Sequence, residues 1–155
     1  MQIHILTIGK NMPSWVTEGY EEYTKRMPAD YRVNLIEIAS EKRTKNSDIT
    51  KLIHIEESKV SNSIPKGAYC IALDRIGKAH DTKTLAKKLQ TWHDNQQTIC
   101  FLIGGPEGFS DGFLQKANEI WSLSAMTFPH PLVRIVLAEQ LYRAWSITVN
   151  HPYHR

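Results

Sequence analysis

Three stretches of the 155-residue chain carry residue types suited to chemistry on a small molecule or a nucleic acid. Gly104-Gly105-Pro106-Glu107-Gly108 follows an apolar run and precedes a helix-like segment, the usual setting of a phosphate- or nucleotide-binding loop. It lacks the Gly-Lys-Ser/Thr ending of a P-loop and does not fit G-x-G-x-x-G, so a Rossmann-type dinucleotide site is unsupported. Two readings stay open: a tight glycine turn, or a loop whose bare backbone admits a flat ligand, with Pro106 stiffening it. The second stretch, Ser124-Ala125-Met126-Thr127-Phe128-Pro129-His130-Pro131, is apolar and holds two prolines. Its restricted backbone suits the preformed wall of a small-molecule site, or a stiff connection with Phe128 as a core plug. The third is the chain end, Asn150-His151-Pro152-Tyr153-His154-Arg155. Its aromatic and basic groups suit stacking on a base and contacting phosphate, or else sealing the helix before it.

Other chemistries are poorly served. There is no G-x-S-x-G, and Cys70 and Cys100 fall inside predicted strands, where a thiol packs as a core residue. The seven histidines form no H-E-x-x-H and no Cys/His pairing, so no metal site is expected. Two isolated cysteines make no disulfide framework. A net charge of +3 permits nucleic-acid binding without requiring it. The distribution says more: residues 61–93 carry six basic against two acidic side chains, and the last thirty carry Arg134, Arg143 and Arg155 against Glu139. No apolar run approaches the roughly 18 residues of a membrane span, and no signal-peptide pattern opens the chain. The expected class is a soluble, cytoplasmic protein with no membrane contact, folded as one domain over 1–155.

Five apolar, β-branched runs must position these stretches: Ile3–Ile8, Val33–Ile38, Ala68–Leu73, Thr98–Ile103 and Ile120–Leu123. Helical periodicity lies between and after them, at Ser14–Met27, Asp48–Val60, a segment with Leu85, Leu89 and Trp92 capped by Asp81, a short one capped by Ser110, and Leu132–Asn150. This alternation predicts an α/β fold with a mainly parallel sheet flanked by helices. Ligands of such sheets bind beyond the carboxyl ends of the strands, which selects the loops Gly9–Met12, Asp74–His80, Gly104–Ser110 and Ser124–Pro131. The segment Ala39–Asn46 reads as a surface loop. The last helix is apolar on more than one face, which predicts burial on more than one face and hence a homodimer.

Several motifs together carry a family resemblance. They are Trp15-Val16, Glu22-Tyr23 and Lys25-Arg26; Leu73-Asp74 with Gly77-Lys78; Ile103 to Gly108; Ser122-Leu123-Ser124; Pro129 to Arg134; Glu139 to Ala144; and His151 to Arg155. Over essentially the whole chain this resembles the RlmH family, the ribosomal RNA large-subunit methyltransferases H of the SPOUT superfamily. The resemblance implies a SPOUT-type α/β trefoil knot in the C-terminal half and a homodimer. It implies S-adenosyl-L-methionine as methyl donor, with no metal, held by Leu73, Gly104, Leu123, Ser124, Ala125, Met126, Thr127 and Phe128. The implied partner is 23S rRNA within the assembled ribosome, methylated at N3 of a pseudouridine. Met126 and Phe128 stand where leucines are common in the family. Methyl transfer to a ring nitrogen needs close approach and stabilisation of charge on the base, and the groups expected to supply it are Arg143, Tyr153, His154 and Arg155, from either subunit. His154 or a water is the candidate proton acceptor, while His130 and Pro131 shape the donor pocket. The alternative is a non-catalytic RNA- or ribosome-binding module that holds a nucleotide in its glycine loop.

Overall fold

The alternating runs form a sheet of five parallel strands in the order β2-β1-β4-β3-β5. The structure, a computed structural model, describes residues 1–155. The strands are β1 (Gln2–Ile8), β2 (Arg32–Ile38), β3 (Tyr69–Ala79), β4 (Thr98–Ile103) and β5 (Glu119–Ser122). The helices are α1 (Ser14–Thr24), α2 (Ile49–Ser63), α3 (Thr82–Asp94), α4 (Asp111–Leu114) and α5 (His130–Thr148), followed by a 3-10 turn at Pro152–His154. Asp48, Asp81 and Ser110 cap α2, α3 and α4, accepting from the backbone N–H of Lys51, Thr84 and Phe113. The first helix stops three residues before Met27, because Arg26 and Met27 close tighter turns onto Tyr23 and Thr24 ahead of Pro28.

Burial on both faces explains why the central strands read as nearly unbroken apolar runs. On one face Ile3, Ile5, Ile71, Ile99 and Phe101 pack against Leu85, Leu89 and Trp92 of α3 and Leu137 and Leu141 of α5. On the other, Leu6, Ile8, Ala72, Cys100 and Leu102 pack against Val60 of α2 and Phe109, Phe113 and Leu114 around α4. The expected double burial of α5 is largely met within the chain, since α1 and α3 both pack on it. Gly19 of α1 makes room for Ile135: a Cβ there would stand 2.9 Å from the Ile135 side chain. Leu132 and Val136, one turn apart, are left half-buried and outside both core clusters.

The main departure is β3. The loop expected at Asp74–His80 is instead the second half of a longer strand, because the chain finds a partner there in β5. Leu73 and Lys78 both sit opposite Trp121, so the four residues between them bulge out of the ladder. Gly77 closes the bulge against β5, where a Cβ would stand 2.6 Å from backbone carbons of Ile120 and Trp121. The alternating polarity of Arg75-Ile76-Gly77-Lys78-Ala79 hides this strand from a search for apolar runs. Gly77→Ala should therefore cost about 3 kcal/mol through overpacking against immovable backbone. Gly112→Ala, which meets open space, should leave stability nearly unchanged. Urea denaturation of the two variants checks the contrast.

Candidate active site

Because β3 lies between β4 and β5, the chain leaves β3 toward β4 and returns across it to β5, a topological switch of the kind that opens a crevice at strand ends. A cavity of about 470 Å³ lies there. Leu73, Asp74 and Arg75 line it from β3, and Ile103 with Gly104–Gly108 from the end of β4. Leu123, Ser124, Met126, Thr127, Phe128 and Pro129 line it from the segment after β5, and His130 and Val133 from the start of α5. Seven of the eight expected donor-site residues are thus brought together. The exception is Ala125, which is exposed and outside the lining. Pro131 is likewise outside it and serves the first turn of α5 instead, where a missing N–H costs nothing.

The glycine loop is a tight turn that also forms one wall of the cavity. Gly108 N–H donates to Gly105 O at 3.0 Å, and Gly108 holds a φ of +72° that favours glycine. Gly104 plays a different part from the one expected of a bare backbone. A Cβ there would stand 3.0 Å from Gly108, so its hydrogen lets the loop close on itself, not a ligand approach. After β5, the Ser122 hydroxyl donates to Ser124 O at 2.9 Å, and Ser124 Oγ accepts from Met126 N–H at 3.0 Å. This turn leaves Met126 74 % exposed at the rim while Phe128 is half-buried within.

Two groups near the start of α5, His130 in the cavity wall and Arg134 beneath it, join the helix to the sheet side of the site. His130 stacks over Gly9, where a Cβ would stand 2.8 Å from the imidazole. Burial, and then the nearby Arg134 guanidinium, hold His130 below the ordinary histidine range, so it sits neutral in the wall. Arg134 is only 2 % exposed and donates to Glu37 at 2.9 Å and to the Thr7 hydroxyl at 3.5 Å. It ties the first turn of α5 to β1 and β2. Pairing makes such a buried guanidinium tolerable.

The chain end does not reach this cavity. Arg143 is thirteen residues beyond His130 along one helix, about 20 Å at 1.5 Å per residue. There Glu139 gathers the expected catalytic groups: it accepts from Arg143 Nε at 2.8 Å and from the Tyr153 hydroxyl at 3.0 Å. The Arg143 guanidinium also lies 4.9 Å from the centre of the Tyr153 ring, and Tyr153 packs on Tyr142 at 4.6 Å. Burial and the Glu139 carboxylate push the Tyr153 phenol up to about 12. His154 faces a second cavity of about 640 Å³ between α3 and α5, with Lys83, Lys87 and Arg143. The aromatic end seals its helix and leaves Arg155 exposed to solvent.

Comparison with known proteins bears on this arrangement. Residues 1–154 match the family described as "Predicted SPOUT methyltransferase". The chain is 48 % identical over 155 residues to ribosomal RNA large subunit methyltransferase H of Coxiella burnetii, covering the whole of both chains. It is 48 % identical to the protein of that name from Methylococcus capsulatus, again over the whole of both, and 44 % identical to that of Thioalkalivibrio sulfidiphilus over all of this chain and 99 % of the other. The chain belongs to the ribosomal RNA large subunit methyltransferase H family of SPOUT methyltransferases. Its fold is that of the SPOUT methyltransferases. It aligns with a methylase family protein from Haemophilus influenzae at a TM-score of 0.59, with 10 % identity over 99 % of this chain and 70 % of the other. A methylase family protein from Neisseria gonorrhoeae aligns at 0.55, with 8 % identity over 90 % and 81 %.

What escaped the sequence reading is the set of ionic anchors: Arg43 with Glu56 and Glu107, Glu57 with Ser110, and Arg134 with Glu37. No periodicity announces them, because each joins positions distant in the chain. In this SPOUT methyltransferase fold three half-buried histidines also leave a measurable trace. Burial lowers His4, His80 and His130, so the folded state resists their protonation while the unfolded chain takes up protons near pH 6.5. Their contribution to stability is full above about pH 6.5 and declines as pH falls below it. His130→Gln should flatten the loss between pH 7.5 and pH 5, measured by urea unfolding. An unchanged slope would contradict the burial of a neutral imidazole.

Proposed function

We propose that this chain is an S-adenosyl-L-methionine-dependent methyltransferase acting as a homodimer in the cytoplasm. Its substrate is N3 of a pseudouridine in 23S rRNA of the assembled ribosome. Residues 1–155 form a single SPOUT domain with a trefoil knot in the C-terminal half. The observation that carries this reading is the convergence of Leu73, Gly104, Leu123, Ser124 and Met126–Phe128 on one cavity at the strand ends. The family relatives, named for methylation of large-subunit ribosomal RNA, support the substrate class.

The cavity suits the donor. Its size falls within the range of small-molecule sites. Leu73, Ile103, Leu123, Phe128 and Val133 offer apolar contact, and the turn at Gly104–Gly108 presents backbone polar groups beside it. When bound, the donor supplies a methyl group on a sulfonium centre, open to in-line attack by a ring nitrogen. The chain's residues do the rest. The apolar wall excludes water from the methyl group, and the rigid loops hold the donor so that approach is not left to diffusion. Tyr153, held protonated and bonded to Glu139, is a hydrogen-bond donor and not a base. Arg143, fixed by the same carboxylate, and the exposed Arg155 offset negative charge on the base or grip its phosphate. His154 or a water takes the N3 proton.

The 20 Å between the cavity and these groups gives the dimer its purpose. Leu132, Val136, Glu139 and Arg143 share one outward face of α5 by helical spacing. A two-fold axis perpendicular to α5 that pairs this face with its copy sets the two helices antiparallel. The tail of one subunit then lies at the donor cavity of the other. The half-buried Leu132 and Val136 supply the apolar contact such a face requires.

Two measurements test this. Labelled methyl should pass from S-adenosyl-L-methionine to ribosomes that lack the modification, and absence of transfer to ribosomes, subunits and free RNA alike would reject the activity. A non-catalytic module would give that result and would have no reason to bind the donor. Next, chains truncated before His151 and chains carrying Gly104→Val should each be inactive. Mixed and re-equilibrated, they should regain activity, because one kind of mixed dimer site is intact. No recovery would place the tail and donor site in the same subunit.

A further inference from the structure

The glycine loop is held from behind by α2, and the proposed reaction uses none of the groups that hold it. α2 carries adjacent carboxylates at Glu56 and Glu57, only 2 % and 5 % exposed. Neighbours on a helix diverge by about 100°, so the two side chains reach different points. Glu57 accepts the Ser110 backbone N–H at 2.6 Å. Glu56 accepts both terminal nitrogens of Arg43, at 2.7 and 2.8 Å, and the Glu41 N–H at 2.8 Å. Arg43 turns its other edge to Glu107, donating from Nε at 3.1 Å and from Nη2 at 2.7 Å. One helix thus grips the loop at two points three residues apart, once directly and once through a guanidinium.

The arrangement is costly unless it is complete. A buried carboxylate without partners forfeits its hydration, and charge-assisted bonds are what offset that loss. The network also settles what Glu107 can do. Both of its oxygens face Arg43, which holds its carboxyl below the usual carboxylate range, so it is an anchor and not a proton acceptor. Gly105 rests on the pair, since a Cβ there would stand 3.8 Å from both Arg43 Nη2 and Glu56. Yet Arg43, Glu56 and Glu57 all lie outside the cavity lining. Whatever they contribute to the ligand passes through the loop.

We infer that Arg43, Glu56 and Glu57 are positioning residues that preorganise Gly104–Ser110 for the methyl donor. The inference rests on the donor-site reading above. An unpinned loop must be ordered when the donor binds, and that ordering entropy is subtracted from affinity. Methyl transfer itself takes place after the loop is ordered, so turnover with saturating donor is untouched.

The test uses the full chain, with S-adenosylhomocysteine titrated calorimetrically into wild type, Arg43→Ala, Arg43→Lys and Glu57→Gln. Hydrogen exchange of the loop and thermal unfolding are followed in parallel. Arg43→Ala, which severs the bridge from Glu56 to Glu107, should weaken binding about tenfold or more, and Glu57→Gln, which keeps an acceptor but loses its charge, by a smaller factor. They should also speed exchange of the 104–110 amides and raise the KM for donor while kcat stays near wild type. Arg43→Lys should recover part of the affinity, since an ammonium can hold one carboxylate but not bridge two in plane. Should Arg43→Ala fail to fold, Glu57→Gln, which retains an acceptor oxygen, carries the same comparison. Wild-type affinity and loop exchange in a folded variant would overturn the inference alone. Wild-type protein that does not bind S-adenosylhomocysteine would overturn the donor-site reading on which it stands.

Discussion

The close approach of β3 to β5 at Gly77 is the constraint from which the rest of the site follows. No side chain fits between that residue and the backbone of Ile120 and Trp121. With it, β3 can bulge at 74–77, pair a second time with β5, and leave Leu73 and Asp74 facing the space beyond the strand ends. The switch in strand order then delivers the ends of β4 and β5 to the same place. Three segments that are 30 and 20 residues apart in the chain, roughly, become neighbours through parallel pairing alone.

What surrounds the cavity is held largely by ions removed from water. Arg134 is nearly inaccessible yet carries the first turn of α5 to Glu37 and Thr7. Arg43 and the two α2 carboxylates do the same for the glycine loop. Such pairs are weak as sources of stability because desolvation offsets the attraction. They are strong as sources of geometry, since any displacement leaves a buried charge unpaired. A site that must fix loops with few apolar residues of their own is where that exchange is worthwhile.

How much of this was legible in the sequence depends on how local the cause is. The five strands were visible as short apolar, β-branched runs, and caps at Asp81 and Ser110 follow from nearest-neighbour geometry. The strand-end rule selected the loops at 104 and 124 from the fold class, and the family resemblance named the residues within them. Ala125 and Pro131 fall outside the cavity lining, the one exposed in the turn after β5 and the other within the first turn of α5, which composition does not specify. The second half of β3 was missed because its partner is a four-residue strand some forty positions away. The anchors were missed for the same reason: Arg43 and Glu107 meet only after folding. Even the apolar character of α5, read as a sign of a second subunit, is met in good part by α1 and α3 of its own chain.

The two ends of α5 divide the proposed chemistry, with the donor cavity at His130 and the Glu139-centred cluster at the other. A crystal structure of the protein with S-adenosylhomocysteine tests that division most directly. The proposed function predicts the ligand in the cavity bounded by Leu73, Gly104, Leu123, Ser124 and Met126–Phe128, with Tyr153 and Arg143 of a two-fold mate beside its sulfur. A ligand bound elsewhere, or a dimer whose tails point away from both cavities, would contradict it.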